Sequence, residues 1–167
     1  VPWISRAMVE VTMLGTGIVV AMIIGVSALF LWLYDYRNSA TLLLVTTLGG
    51  LLLNHVLKLG FDRPRPQFFE WGTHAMTSSF PSGHAMSAAI VYGTVAYLAG
   101  RLQASLLARL LTALVAFVVI VAIALTRLYL GVHYPSDVLA GIVVGLAWAA
   151  FCMAMLEMMQ RLAKRRA

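Results

Sequence analysis

Charged residues are scarce in this chain of 167 residues. Only 11% of them are charged and 62% are hydrophobic, whereas a soluble domain carries about 25% charge. This composition excludes an ordinary soluble domain and predicts a membrane protein. The 12 basic residues outnumber the 6 acidic ones, but they lie in loops and at the C-terminus. They therefore indicate membrane topology and an anionic ligand, and no nucleic-acid partner.

Several other features are also missing. The single cysteine, Cys152, lies in an apolar run, which excludes an internal disulfide. Neither H-E-x-x-H nor C-x-x-C occurs, so we expect no metal and no cofactor. The sequence lacks the alternating pattern that predicts the strands of a barrel. The residues that follow Val1 also lack the pattern of a signal peptide.

Long apolar runs are what the sequence has instead. A helix of about 20 apolar residues spans a bilayer. We therefore expect an all-α integral-membrane helical bundle that forms one domain over residues 1–167. Residues 3–13 predict a short interfacial helix, with Arg6 and Glu10 facing water. Five segments are predicted to span the membrane: 14–33, 39–57, 83–100, 107–126 and 137–156.

Three polar stretches interrupt the apolar runs. They cover residues 58–66, 80–84 and 126–137, and each lies at the end of a predicted span. Because antiparallel spans alternate in direction, all three should meet at one membrane face. The 58–82 connection also carries aromatic residues that we expect to anchor it at the membrane interface: Phe68, Phe69, Trp71 and Phe80.

The basic residues predict the orientation of this face. Seven of them fall on the opposite face and five on the face of the polar stretches. Four of those five lie within the stretches, where a ligand would explain them. The remaining bias places the basic C-terminal tail in the cytoplasm, so the polar stretches should face the exterior.

The polar stretches contain the groups that bind phosphate in proteins. Lys58, Arg65 and Arg127 supply positive charge, and a guanidinium matches phosphate oxygens. Ser82 and Gly83 precede a predicted helix, whose free N–H groups point at an anion. The alternative is that each cation only contacts lipid headgroups. Arg63 either lines the same site or pairs with Asp62.

Two histidines have neighbourhoods that suit catalysis. Asp137 follows His133 by four residues and can hold one ring nitrogen, leaving the other free to attack. His84 has no neighbouring carboxylate and suits a general acid. The alternatives are that Asp137 and His84 merely cap their helices. We expect His55 and His74 to be structural.

At these residues the chain resembles the type 2 phosphatidic acid phosphatase (PAP2) family, which is related to vanadium haloperoxidases. The family pattern is K-x6-R-P, then P-S-G-H, then S-R-x5-H-x3-D. The matching core covers residues 58–137, and Thr126 in place of serine is the only departure. The resemblance implies His133 as nucleophile through a phosphohistidine, Asp137 as its orienter and His84 as leaving-group acid. It implies these phosphate ligands: Lys58, Arg65, Ser82, Gly83 and Arg127.

The resemblance also implies a setting and a substrate. Bacterial members lie in the inner membrane and usually have six spans, so we expect a first helix before Val1 to be missing. The candidate substrates are phosphatidate, phosphatidylglycerophosphate and undecaprenyl diphosphate, cleaved at a site facing the periplasm.

Two other functions remain as alternatives. A haloperoxidase would bind vanadate in the same pocket, but those relatives are soluble. A transporter would use its charges as an ion path, but here the span centres are nearly uncharged.

Overall fold

A computed structural model of the chain describes residues 2–66 and 77–166. Within these residues every regular element is a helix, which confirms the predicted all-α bundle. The helices are α1 (Pro2–Met13), α2 (Gly17–Leu33), α3 (Arg37–Phe61), α4 (Gly83–Leu102), α5 (Leu106–Tyr129) and α6 (Pro135–Arg166).

Helices α3 to α6 are each long and apolar enough to cross a membrane. Helices α1 and α2 meet at a 44° bend and count as a fifth span if the pair is taken together. The prediction of about five spans is therefore confirmed.

Helix α6 is longer than the apolar run that predicted it, which ended at residue 156. It continues to Arg166 because the following residues are good helix formers. Glu157 and Arg161 form a pair four residues apart at 3.6 Å, and Tyr97 donates a 2.6 Å hydrogen bond to the same Glu157. The end of α6 is thus a polar helix beyond the apolar segment.

Helix α4 is the centre of the bundle and packs against α3, α5 and α6. Its small side chains allow a close approach of α6 at two glycines. An added Cβ at Gly141 would lie 2.7 Å from the Ser82 carbonyl oxygen, and one at Gly145 would lie 2.8 Å from that of Met86. Such contacts exclude any larger residue. They fix the beginning of α4, at Ser82, against the first turns of α6.

The corner between α1 and α2 packs against the beginning of α4. Tyr92 donates a 2.9 Å hydrogen bond to the carbonyl oxygen of Leu14. A Cβ added at Gly15 would lie 3.2 Å from the His84 ring and 2.9 Å from the Ile123 side chain. The corner therefore lies beside the polar end of the bundle, where α3 and α5 end and α4 and α6 begin.

Candidate active site

The carboxylate of Asp137 lies in the first turn of α6 and is fully buried. Its Oδ1 accepts a 2.6 Å hydrogen bond from Arg63 Nη1. Its Oδ2 accepts one from the Tyr134 backbone N–H at 2.9 Å and another from the Ser79 hydroxyl. A buried charge is tolerated only when it is paired and hydrogen-bonded. Asp137 meets this condition with partners from three segments of the chain.

His133 lies in the connection between α5 and α6, and its side chain is only 3% exposed. Its Nδ1 lies 3.6 Å from Asp137 Oδ2 and 3.5 Å from Ser79 Oγ. Since Nδ1 faces the carboxylate, Nε2 on the other side of the ring is directed away from it. Asp137 thus lies beside His133, as expected, and also accepts the backbone N–H of Tyr134 near the start of its helix.

Three basic side chains from different segments reach the same end of the bundle. Lys58 Nζ donates a 2.7 Å hydrogen bond to the Ser78 carbonyl oxygen. Arg65 Nη1 donates to the carbonyl oxygen of Val132, at 3.3 Å. The charges of Lys58, Arg65 and Arg127 act on both histidines, His84 and His133. The three polar stretches therefore form one electropositive cluster around these rings.

The beginning of α4 presents free hydrogen-bond donors to this cluster. The first backbone bond of the helix runs from Met86 N–H to the Ser82 carbonyl oxygen, so the amides of Gly83 and His84 lack helical partners. Within residues 2–66 and 77–166, Ser82 Oγ and Arg127 Nε are buried without a partner. Buried polar atoms are normally satisfied. Ser82 lies at the N-terminus of α4 and Arg127 in the last turn of α5, and a helix N-terminus beside cations is suited to an oxyanion.

Burial and charge together keep His133 neutral. Burial, followed by the positive charges of Arg65 and Arg127, lowers the pKa of His133 from 6.5 to about 4, although Asp137 opposes this shift. Burial also lowers the pKa of Arg65, but a guanidinium remains charged at any physiological pH. At pH 7 the imidazole therefore has an unprotonated nitrogen available for attack, in a field of positive charge.

The chain is similar to known proteins in both sequence and structure. The family model of the PAP2 superfamily matches residues 39–161. Phosphatidylglycerophosphatase B of Bacillus subtilis (strain 168) is 35% identical over 146 residues, which is 87% of this chain and 71% of that protein. A lipid A 1-phosphatase of Rhizobium johnstonii is 31% identical over 125 residues, 70% of this chain but only 46% of that protein.

Two solved structures share the fold. A transmembrane PAP2-type phosphatidylglycerolphosphate phosphatase from Bacillus subtilis matches with a TM-score of 0.86 and 32% identity, over 94% of this chain and 78% of that one. Aquifex aeolicus LpxE matches with a TM-score of 0.68 at 23% identity, over 92% and 87% of the two chains, which supports the fold alone.

The chain belongs to the PAP2 superfamily. It is a multi-pass membrane phosphatase, since the relatives it is similar to are phosphatases and the Bacillus subtilis structure is that of a transmembrane phosphatase. This assignment favours the phosphatase over the transporter that the sequence had left as an alternative.

Two polar residues beside the PAP2 motifs, Ser79 and Thr12, were not predicted as part of the site, and a third, Arg63, was predicted there only as one of two alternatives. Arg63 pairs with Asp137 and stacks 4.3 Å from the centre of the Tyr134 ring, which decides between the two alternatives considered for it. Ser79 contacts both Asp137 and His133. Thr12 accepts a 2.8 Å hydrogen bond from Arg127. The partners of Ser79 and Thr12 lie 54 or more residues away, so local spacing gave no signal.

The remaining predictions concern residues away from this cluster. His55 is exposed on α3. His74 and the aromatic residues Phe68, Phe69 and Trp71 lie outside the described residues, whereas Phe80 packs against Phe61 with ring centres 4.6 Å apart. Over the described ranges, no group of three His, Cys, Asp or Glu side chains is placed to hold a metal ion.

The charge acting on His133 generates a prediction that needs no substrate. Arg65→Gln removes the cation that contributes most to the low pKa of His133, so the imidazolium is destabilised less. The pKa of this histidine should rise from about 4 toward 6.5 while staying below it, because burial persists. Histidine 15N chemical shifts, measured by NMR in micelles across a pH series, report the pKa of His133.

Arg161→Gln, a change at the exposed end of α6, is the matched control and should leave the pKa of His133 unchanged. A pKa that stays constant or falls in Arg65→Gln would contradict this electrostatic account.

Proposed function

We propose that this PAP2 phosphatase removes phosphate from a lipid phosphate or diphosphate, without a metal, by way of a phosphohistidine. The observation that carries the proposal is the buried pairing of His133 with Asp137 inside a cluster of three cations. The printed names of the relatives, phosphatidylglycerophosphatase B and lipid A 1-phosphatase, support a lipid phosphate as the substrate class.

The proposed binding step uses cations whose hydrogen bonds within the described residues go only to neutral oxygens, together with unpaired donors at the start of α4. The phosphate oxygens would meet Lys58, Arg65 and Arg127, together with the Ser82 hydroxyl and the amide of Gly83 at the start of α4. Charge that develops on the phosphoryl oxygens in the transition state is stabilised by donors already fixed in place. Three positive side chains supply the neutralisation that a divalent cation gives in other phosphoryl-transfer sites.

The proposed chemistry has two displacements at phosphorus. His133 Nε2 attacks the phosphorus, a P–N bond forms and the bond from phosphorus to the leaving oxygen breaks. That oxygen belongs to the lipid alcohol in a monophosphate and bridges the two phosphates in a diphosphate. His84 gives its proton to the departing oxygen. Water then attacks the phosphohistidine, His84 accepts a proton from it, and the P–N bond breaks to release inorganic phosphate. Asp137 stabilises the positive charge on the imidazole of His133 and holds Nδ1 in place throughout.

The candidate substrates differ in their headgroups but share this phosphoryl end. Phosphatidate, phosphatidylglycerophosphate and undecaprenyl diphosphate each place a phosphate at the membrane surface while their chains stay in the bilayer. Four apolar helices have an end at the polar end of the bundle. A lipid could therefore reach the cluster laterally, from within the bilayer.

The test of this function is release of inorganic phosphate from purified protein in EDTA. The wild-type protein should hydrolyse at least one of the three lipids. His133→Ala should lose at least about a thousandfold in kcat, because removal of a nucleophile abolishes the covalent route. His55→Ala removes an exposed histidine of α3 and should retain wild-type activity. Turnover that requires added magnesium, or that survives in His133→Ala, would refute the proposal.

We also propose that the site faces the periplasm of a bacterial inner membrane. The support is the placement of Arg37, Arg101 and Arg109 at the opposite ends of α3, α4 and α5, together with the basic end of α6. Basic residues are retained on the cytoplasmic side. A site on the outer leaflet suits the recycling or trimming of outward-facing lipids.

Single cysteines test this orientation in intact cells. Thr73→Cys and Ala163→Cys are each placed on a Cys152→Ser background, which removes the only native thiol. A membrane-impermeant thiol reagent should label position 73 and spare position 163 until the cells are lysed. Labelling of 163 but not 73 in intact cells would reverse the orientation.

A further inference from the structure

A large opening lies on the side of the bundle, away from the phosphate cluster. It is a groove of about 800 Å³, with α4 as its floor and α5 and α6 as its walls. This volume is within the ~300–1,000 Å³ range of small-molecule sites. Part of the floor and of the α5 wall consists of small residues, which leave the space unfilled: Gly93, Ala96, Gly100, Ala113 and Ala116.

The groove exists because α5 and α6 each pack closely on α4 but contact each other little. Near the phosphate cluster, Ala88 and Ala89 of α4 pack against Ile120 and Ile123 of α5 and close the gap. Toward the other end of the bundle, Ala96 and Gly100 of α4 and Ala113 and Ala116 of α5 leave the space between the helices open.

The length of the groove corresponds to one leaflet of a bilayer. On α5 it runs from Arg109 to Val121, a distance of about 18 Å at 1.5 Å per residue. Half of the hydrocarbon core of a bilayer is about 15 Å thick. An extended acyl chain from the leaflet opposite the phosphate cluster therefore fits its length.

The end of the groove at the membrane surface is positively charged. Arg101 and Arg109 both line it. Arg109 Nε donates a 2.9 Å hydrogen bond to the Gln103 carbonyl oxygen, which orients the side chain. In the part of the chain that the structure describes, neither Nη group of Arg109 has a protein partner. Two parallel N–H donors on an oriented guanidinium match the oxygens of a phosphate.

We infer that this groove binds an anionic phospholipid of the leaflet opposite the phosphate cluster. One acyl chain lies over the small residues of α4, and the headgroup phosphate rests on Arg109 with Arg101 beside it. None of the described residues that line the groove is acidic, and Glu157 is engaged by Tyr97 and Arg161. Charge complementarity therefore favours an anionic lipid over a zwitterionic one. This site lies at the other end of the bundle from the phosphate cluster and does not depend on the proposed hydrolysis.

The test measures thermal unfolding of the full-length protein in a non-ionic detergent. Phosphatidylglycerol and phosphatidylcholine with identical acyl chains are titrated in parallel. Phosphatidylglycerol should raise the unfolding temperature at lower concentration than phosphatidylcholine. Arg109→Gln should weaken the apparent affinity for phosphatidylglycerol by about fivefold, as expected when one basic contact at the membrane surface is lost. Ala113→Leu should reduce the stabilisation by both lipids, since it fills the groove.

Each change has a matched control outside the groove. Arg37→Gln removes an exposed arginine at the same end of the bundle, one that pairs with Asp35. Ala150→Leu enlarges an exposed alanine of α6 that does not line the groove. Both controls should respond to the lipids as the wild type does. Equal stabilisation of the wild type by the two lipids would overturn the inference. A preference for phosphatidylglycerol that is fully retained in Arg109→Gln would also overturn the inference.

Discussion

The buried carboxylate of Asp137 is the group on which the arrangement of the site depends. It accepts hydrogen bonds from Arg63 beyond the end of α3, from Ser79 before α4, and from the backbone that precedes α6. Its own backbone oxygen accepts the amide of Ser82 at 3.0 Å. Removing one partner of a buried charge typically costs about 3–5 kcal/mol. One side chain thus fixes the ends of three helices relative to each other.

This constraint keeps three like charges close together. Lys58, Arg65 and Arg127 repel one another, and partial burial increases that repulsion because fewer waters screen it. Neutral contacts to Ser78, Val132 and Thr12 orient the three side chains but do not neutralise them. The negative charge of Asp137 is paired with Arg63. The cluster therefore has a net positive field, which an incoming phosphate would relieve.

The contact between Thr12 and Arg127 gives the corner of α1 and α2 a role in this site. Helix α1 is short and amphipathic, and it meets α2 at an angle rather than continuing it. This bend places Thr12 on Arg127 and Gly15 against the ring of His84. The small size of Gly15 leaves room for that ring, since even a Cβ would crowd it. The α1–α2 corner is therefore a wall of the site as well as part of the membrane anchor.

The sequence was sufficient for features set by local patterns and insufficient for those set by distant contacts. The spans could be predicted because lipid permits only helices whose backbone groups are satisfied internally. The convergence of Lys58, His84 and His133 followed from the alternation of those spans. The extension of α6 had no apolar signal, because its last turns are polar. The partners of Ser79 and Thr12 arise from packing between segments far apart in the chain, which periodicity does not encode.

His133, held by Asp137, is the proposed nucleophile, and its Nε2 would carry the phosphoryl group in a covalent phosphoenzyme. The most direct measurement is to mix the protein with a radiolabelled phosphate monoester that has a good leaving group, quench in alkali within one turnover, and map the label by mass spectrometry. Phosphohistidine survives alkali and is lost in acid. We expect an alkali-stable, acid-labile label on His133. A complete single turnover without a labelled protein, or with the label on His84, would contradict it.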